Sequence, residues 1–238
     1  MQKNKSFVSA IIVAAGSGTR MNMEKNKMYV DVGGKPLLAR TIQAFEDSNY
    51  IDEIILVTGS NDIVFCKQHI IDRYDLSKVK KIVAGGKERQ NSVYNGLCEA
   101  CNKTDVVLIH DGARPFINDE IIKSSIDAAL SYRAAGVAVP VKDTIKISDE
   151  DAYVKDTPDR KYLWAIQTPQ SFKYDIILNA HRNAIEDNYL GTDDAVLVER
   201  MGHKMKLIIG SYYNIKITTV EDLAFANAIA KNLDNGFK

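Results

Sequence analysis

The sequence predicts an α/β domain: a mostly parallel sheet covered by helices on both faces, carrying a projecting β-arm. Short apolar, β-branched runs alternate with longer helical patterns along the chain. The runs are continuously apolar rather than alternating, which is the signature of strands buried on both faces. The stretch 142–164 then breaks the rhythm with polar sequence and short β-like pieces.

Taken in order, 7–14 (FVSAIIVA) is a buried strand. A helix is predicted over 36–46, with Pro36 near its first turn, where a missing N–H leaves no bond unmade. Strand 53–58 (EIILVT), helix 62–74, strand 79–84, helix 88–101, strand 105–110 (DVVLIH), helix 119–132 and strand 136–141 continue the alternation. Pieces at 145–148, 153–155 and 162–166 form the arm. It has little apolar content to bury on its own, and such an arm needs another surface to pack against, which predicts a homodimer. Helices 174–186 and 193–201, strands 206–209 and 214–217, and a helix over 220–233 close the pattern. There is no repeat or linker, so residues 1–238 are expected to form one domain.

Composition narrows the function. The 238 residues are 45% hydrophobic, enough for a real core. Lys plus Arg number 31 and Asp plus Glu 31. That balance argues against a general nucleic-acid or membrane-surface binder, but allows a small anion in a local basic pocket. No run approaches the roughly 20 apolar residues of a membrane span, and the N-terminal stretch does not read as a secretion signal. Three cysteines, Cys66, Cys98 and Cys101, are too few and odd in number for a disulfide scaffold. Cys98 and Cys101 make a lone C-x-x-C inside a predicted helix, without a second pair for zinc. A soluble cytoplasmic protein is expected.

The chemistry sits at strand ends. The first strand runs into AAGSGTRM, Ala14 to Met21. Its small residues let the backbone approach an anion and aim amides at it. It is neither a Walker loop nor a complete G-x-G-x-x-G. Arg20 lies in this loop and Lys27 follows in KNKMY, where spacing alone does not separate it from a solvated surface lysine such as Lys25. A rigid guanidinium and a mobile ammonium suit a triphosphate whose charge shifts during transfer. The third strand opens into GGKERQNSV, where Ser92 is either a base contact or an ordinary helix-start hydroxyl. The fourth ends in HDGARPF. There Asp111 can meet ribose hydroxyls or a phosphate-bound metal, Arg114 can reach a phosphate, and His110 reads as structural.

These segments, with PVKDTIK, LWAIQTPQSF, GTDDA and YNIKITT in that order, resemble the 2-C-methyl-D-erythritol 4-phosphate cytidylyltransferases over roughly Ser9 to Ala230. The resemblance implies a Rossmann-like nucleotidyltransferase sheet, a homodimer made through the arm, and magnesium-dependent transfer of CMP from CTP to the polyol phosphate in isoprenoid precursor synthesis. It implies that Arg20, Lys27, Arg160 and Lys216 are catalytic. Ala14, Ala15, Gly16, Ser17, Gly18, Gly86, Ser92, Asp111 and Gly112 would bind the nucleotide, and Arg114, Thr144 and Thr168 the substrate. Mg2+ would be held mainly by CTP, with Asp111 the best protein candidate. Asp193 and Asp194 read as caps of the helix at GTDDA. The ribitol-5-phosphate cytidylyltransferases share the chemistry, but their loop resembles AGG followed by PKQF rather than Ala-Ala-Gly followed by Lys-Asn-Lys-Met-Tyr. Lys87 stands where some members carry an acid. A third reading is a CTP-binding module without turnover.

Overall fold

The computed structural model describes residues 5–16 and 27–234. Strand β1 (Phe7–Val13) is an interior strand of a seven-stranded sheet. Beyond it come a 3-10 turn at Lys27–Tyr29, a small hairpin of β2 (Asp31–Val32) and β3 (Lys35–Pro36), and helix α1 (Leu37–Glu46). Next are β4 (Glu53–Thr58), a helical stretch containing α2 (Ile63–Cys66), β5 (Val79–Ala84) and α3 (Arg89–Cys98). Then follow β6 (Thr104–Asp111), α4 (Asp119–Tyr132) and β7 (Ala134–Pro140). The arm holds β8 (Ile147–Ser148) and β9 (Val154–Asp156), and the chain re-enters the sheet as β10 (Trp164–Lys173). Helices α5 (Tyr174–Glu186) and α6 (Asp194–Arg200), β11 (Lys206–Ile209) and α7 (Val220–Asp234) complete it.

The sheet order is β11-β7-β10-β6-β1-β4-β5. All pairs are parallel except those of β10, which runs antiparallel to both β6 and β7. The continuous apolar runs have a simple cause. In β1, Ala10 and Ile12 pack with Leu37, Ile42 and Phe45 on one face, while Ile11 packs with Val93, Leu97 and Phe172 on the other. Successive side chains point to opposite faces, so covering both faces favours apolar residues at successive positions; the buried Ser9 is accommodated by hydrogen bonds with Glu53 and Thr104.

Three expectations are corrected. The piece 162–166 is not an arm strand throughout. From Trp164 onward it is the start of β10, whose ten residues cross the main sheet, with the register shifting between Ile166 and Gln170. Pro169 lies in that irregular step, where a residue without an N–H is tolerated within a sheet. Residues 214–217 form no strand, although Ile217 donates its N–H to the Ala113 carbonyl at 2.9 Å. The helix expected over 62–74 is not uniform. It opens as a 3-10 turn, passes through α2 and continues as a π-helix over Lys67–Asp72.

The arm pairs β8 with β9 and leaves both exposed. Tyr153, Val154, Ile147 and Tyr162 stand in solvent on this chain. Cys98 ends α3 and Cys101 lies beyond it, and the three cysteines are unpaired. Among the described residues no helix is long and apolar enough to cross a membrane.

Candidate active site

The parallel strands bring three loops to one edge. At the carboxyl ends of β1, β4, β5 and β6 the backbone ties the loops together. Ala14 N–H reaches the Val57 carbonyl at 2.7 Å, Gly85 N–H the Thr58 carbonyl at 2.8 Å, and Gly112 N–H the Val13 carbonyl at 2.8 Å. Open α/β sheets bind ligands outside this edge. The approach is close enough to require glycine at Gly85, where an added Cβ would overlap the Cβ of Ala15 and lie 2.9 Å from Ser92 Oγ.

A cavity of about 190 Å³ opens there. Ala15 and Gly16 from the first loop and Gly86 and Ser92 from the second line it, with Asp111 from the end of β6. Lys27, Lys87, Arg89 and Lys216 supply the cationic side chains. Lys27 also donates to the Ile217 carbonyl at 3.2 Å, so it stands beside the segment that presents Lys216. Ser92 Oγ accepts from Gly86 N–H and donates to the Glu88 carbonyl, both at 3.1 Å, so it shapes the second loop while facing the cavity. Ala14 and Gly112 are buried just behind this wall.

Asp111 is the electrostatic centre. Its Oδ2 is 2.8 Å from Lys216 Nζ and 3.7 Å from Arg114 Nε, and its Oδ1 is 3.3 Å from Arg89 Nε. Burial alone would push its carboxyl up. Arg89 foremost, then Lys216 and Arg114, overcome that and hold it well below the usual carboxylate range. Arg89 continues to Asp194, with Nη1 2.7 Å from its Oδ2. Burial works against the Arg89 charge, but the two carboxylates raise its pKa further above the ordinary arginine value. Arg114 donates to the Asn214 carbonyl at 2.7 Å, and burial lowers its pKa.

Behind Asp111 lies a neutral support. Thr168 Oγ1 accepts the Asp111 N–H at 3.0 Å and meets His110 Nδ1 at 3.1 Å. His110 Nε2 is 3.0 Å from the Arg114 carbonyl. A carbonyl only accepts, so Nε2 carries the proton and the Thr168 hydroxyl donates to Nδ1. Burial depresses the imidazole pKa to about 4.

The structure therefore gathers Ala15, Gly16, Lys27, Gly86, Ser92, Asp111 and Lys216 around one cavity. Ser17, Gly18 and Arg20 lie outside the described residues. Thr168 and Arg114 back up Asp111 instead of lining the cavity. Thr144 and Arg160 are exposed near the arm and line no part of it; Arg160 donates to the Lys142 carbonyl at 2.6 Å. Arg89 is the residue the sequence does not single out. Its one signal is an arginine inside the second glycine segment at a helix start. The two aspartates of GTDDA also divide. Asp193 caps α6 by accepting from Val196 N–H at 3.1 Å, whereas Asp194 is buried against Arg89.

A glycine-lined, cation-walled cavity at the carboxyl edge of this sheet defines a nucleotidyltransferase-type site. The comparisons make the class specific. The sequence model described as 2-C-methyl-D-erythritol 4-phosphate cytidylyltransferase matches residues 8–232, and the chain belongs to that family. A relative of that name from Caldanaerobacter subterraneus subsp. tengcongensis is 55% identical over 219 residues, 92% of this chain and 96% of the relative. One from Clostridium novyi is 50% identical over 224 residues, 94% of this chain and 96% of the relative. The crystal structure of 4-diphosphocytidyl-2C-methyl-D-erythritol synthase from Anaerococcus prevotii superposes with a TM-score of 0.85 at 39% identity, covering 95% of this chain and 97% of that one.

Proposed function

We infer that this cavity carries out the family reaction: CMP passes from CTP to 2-C-methyl-D-erythritol 4-phosphate, giving 4-diphosphocytidyl-2-C-methyl-D-erythritol and pyrophosphate. The observation that carries the reading is the convergence of Lys27, Arg89 and Lys216 on one cavity walled by glycine loops. An oxygen of the polyol phosphate attacks the α-phosphorus of CTP in line. The new P–O bond forms as the α-phosphorus bond to the bridging oxygen breaks, and that electron pair leaves with pyrophosphate. Both reactants are anions, so neutralising repulsion and stabilising developing charge is the main task. No nucleophilic side chain is required.

Arg20 and Lys27 hold the triphosphate, and the loops of Ala14 to Gly18, Gly86, Ser92 and Gly112 seat the nucleoside and phosphates. Lys216 exchanges its Asp111 partner for the incoming phosphate. Arg114 and Thr168 act through the placement of Asp111. Magnesium neutralises phosphate charge in this class of transfer. Among the described residues no cluster of three acidic, His or Cys side chains could hold it. Asp111 has both oxygens engaged by cations. That donor set suits an ion brought by the nucleotide phosphates, with Asp111 supplying at most one oxygen, as magnesium sites commonly do.

The arm makes the dimer in this reading. Arg160 and Thr144 stand away from their own cavity, and the exposed Ile147, Tyr153 and Val154 need cover. Crossing to a partner supplies both: cover for the arm, and Arg160 and Thr144 for the partner's cavity. The reaction is placed in the cytoplasm, consistent with the unpaired cysteines. Pyrophosphate release measured with a panel of polyol phosphates tests the assignment. Release with 2-C-methyl-D-erythritol 4-phosphate is expected. Release only with ribitol 5-phosphate moves the chain to that group, and tight CTP binding without turnover of any polyol phosphate makes it a silent binding module.

A further inference from the structure

Asp194 presents a problem that a helix start does not explain. Asp193 already caps α6, and Asp193 Oδ2 also accepts from Gln170 Nε2 at 2.7 Å. Asp194, the first residue of the helix, is 1% exposed and lines no part of the cavity. Burying an unpaired carboxylate costs several kcal/mol, so an ion here has to be held by its partners. They are Arg89, at 2.7 Å, and His181, whose Nε2 lies 3.3 Å from Asp194 Oδ1 without hydrogen-bond alignment. Arg89 in turn touches Asp111 with Nε and is the only one of these groups that reaches from the buried pair to the cavity wall.

We propose that Asp194 is a positioning residue for the transfer reaction, holding the Arg89 guanidinium between two carboxylates so that it stands at a fixed place in the cavity wall. The geometry explains why two partners are needed. A guanidinium facing one carboxylate prefers a bidentate, fork-to-fork pairing. Without Asp194, Arg89 closes onto Asp111 in that way, turns the carboxylate from Lys216 and withdraws from the nucleotide. With Asp194 in place, Nη1 is anchored behind the wall and Nε alone meets Asp111. The α6 aspartate thus acts on the ligand through Arg89, from a site that touches no ligand. This rests on the nucleotide reading of the cavity given above.

The test is a double-mutant cycle in the full chain, read by calorimetric CTP binding and by pyrophosphate release. Asp194→Asn keeps the shape and removes the charge, and Arg89→Met removes the guanidinium while keeping its stem. Each single variant is expected to weaken CTP binding about tenfold or more, the scale of one charged hydrogen bond. The double variant is expected to be no worse than the weaker-binding single variant, because the two residues act as one unit. The sign discriminates mechanisms. Removing a negative charge beside a cationic cavity by through-space electrostatics alone tightens CTP binding, so tighter binding by Asp194→Asn overturns the proposal. Full additivity in the double variant also overturns it, as does a lowered melting temperature with CTP affinity unchanged in the folded fraction. If the unsubstituted chain binds no CTP, the nucleotide reading fails and takes the proposal with it. If it binds CTP and Asp194→Asn binds equally well, only the proposal fails.

Discussion

Acidification should weaken the fold through His110 before it protonates the carboxylates that surround the site. His110 is fully buried, its ring is 4.9 Å from that of Phe45, and its pKa is depressed to about 4 from an ordinary value of 6.5. The unfolded chain takes up a proton on this residue as the pH falls through 6.5, while the folded chain takes none until about 4. Between those values the unfolded state binds more protons, so stability falls with pH. At about 1.4 kcal/mol per unit of displacement, the full window removes roughly 3 kcal/mol. Asp111 contributes in the opposite part of the scale. Its depressed pKa stabilises the fold above the ordinary carboxylate range and is lost only below it. The assay is urea unfolding at pH 7 and pH 4.5, comparing the unsubstituted chain with His110→Gln. The glutamine amide retains a donor for the Arg114 carbonyl but does not titrate. The unsubstituted chain should lose about 2–3 kcal/mol more than the variant over that interval. Equal losses in the two chains would refute the reasoning.

Lys216→Met should lower turnover roughly 100- to 1000-fold with the fold intact, since it removes one cation aimed at the transferring group; steady-state pyrophosphate release checks this. Gly85→Ala should weaken CTP binding and lower stability by about 1–3 kcal/mol, because the added methyl meets the Ala15 Cβ across two backbone-fixed loops; calorimetry and thermal unfolding read the two effects. Arg160→Ala should raise KM for the polyol phosphate while leaving CTP affinity nearly unchanged, and equal loss of both contradicts its assignment. Sedimentation should find a dimer, and a fully active monomer excludes a site shared through the arm.

Most of the architecture was legible because its cause is local. A strand covered on both faces carries apolar residues at successive positions, so β1, β4 and β6 announce themselves in the apolar runs of FVSAIIV, EIILVT and TDVVLIHD. Glycines mark places where loops crowd, and Gly85 beside Ala15 does so here. The two loops could be named from their place after β1 and β5, whereas the choice of Lys27, Arg160 and Lys216 among the many lysines and arginines came from the family resemblance. The failures are equally physical. The run from Trp164 to Lys173 contains Pro169 and polar residues, Gln167 and Gln170, whose side chains bond to Ser211 and Asp193. Its membership of the central sheet comes from backbone pairing with β6 and β7, which its own composition does not announce. The reverse holds for 214–217, which have a strand-like composition but bond to the Ala113 carbonyl and Arg114 instead of joining an edge.

What the chain determined by itself is the alternation of elements, the loops that approach an anion, and the kinds of charge that gather near it. Only tertiary structure decided that Asp193 caps a helix while Asp194, one residue on, is buried as the back anchor of Arg89, 105 positions away in sequence. Charges in a sequence carry their sign but not their partners. A buried ion pair is chosen by which elements lie side by side, here the starts of α3 and α6, and by what is left without water once they do.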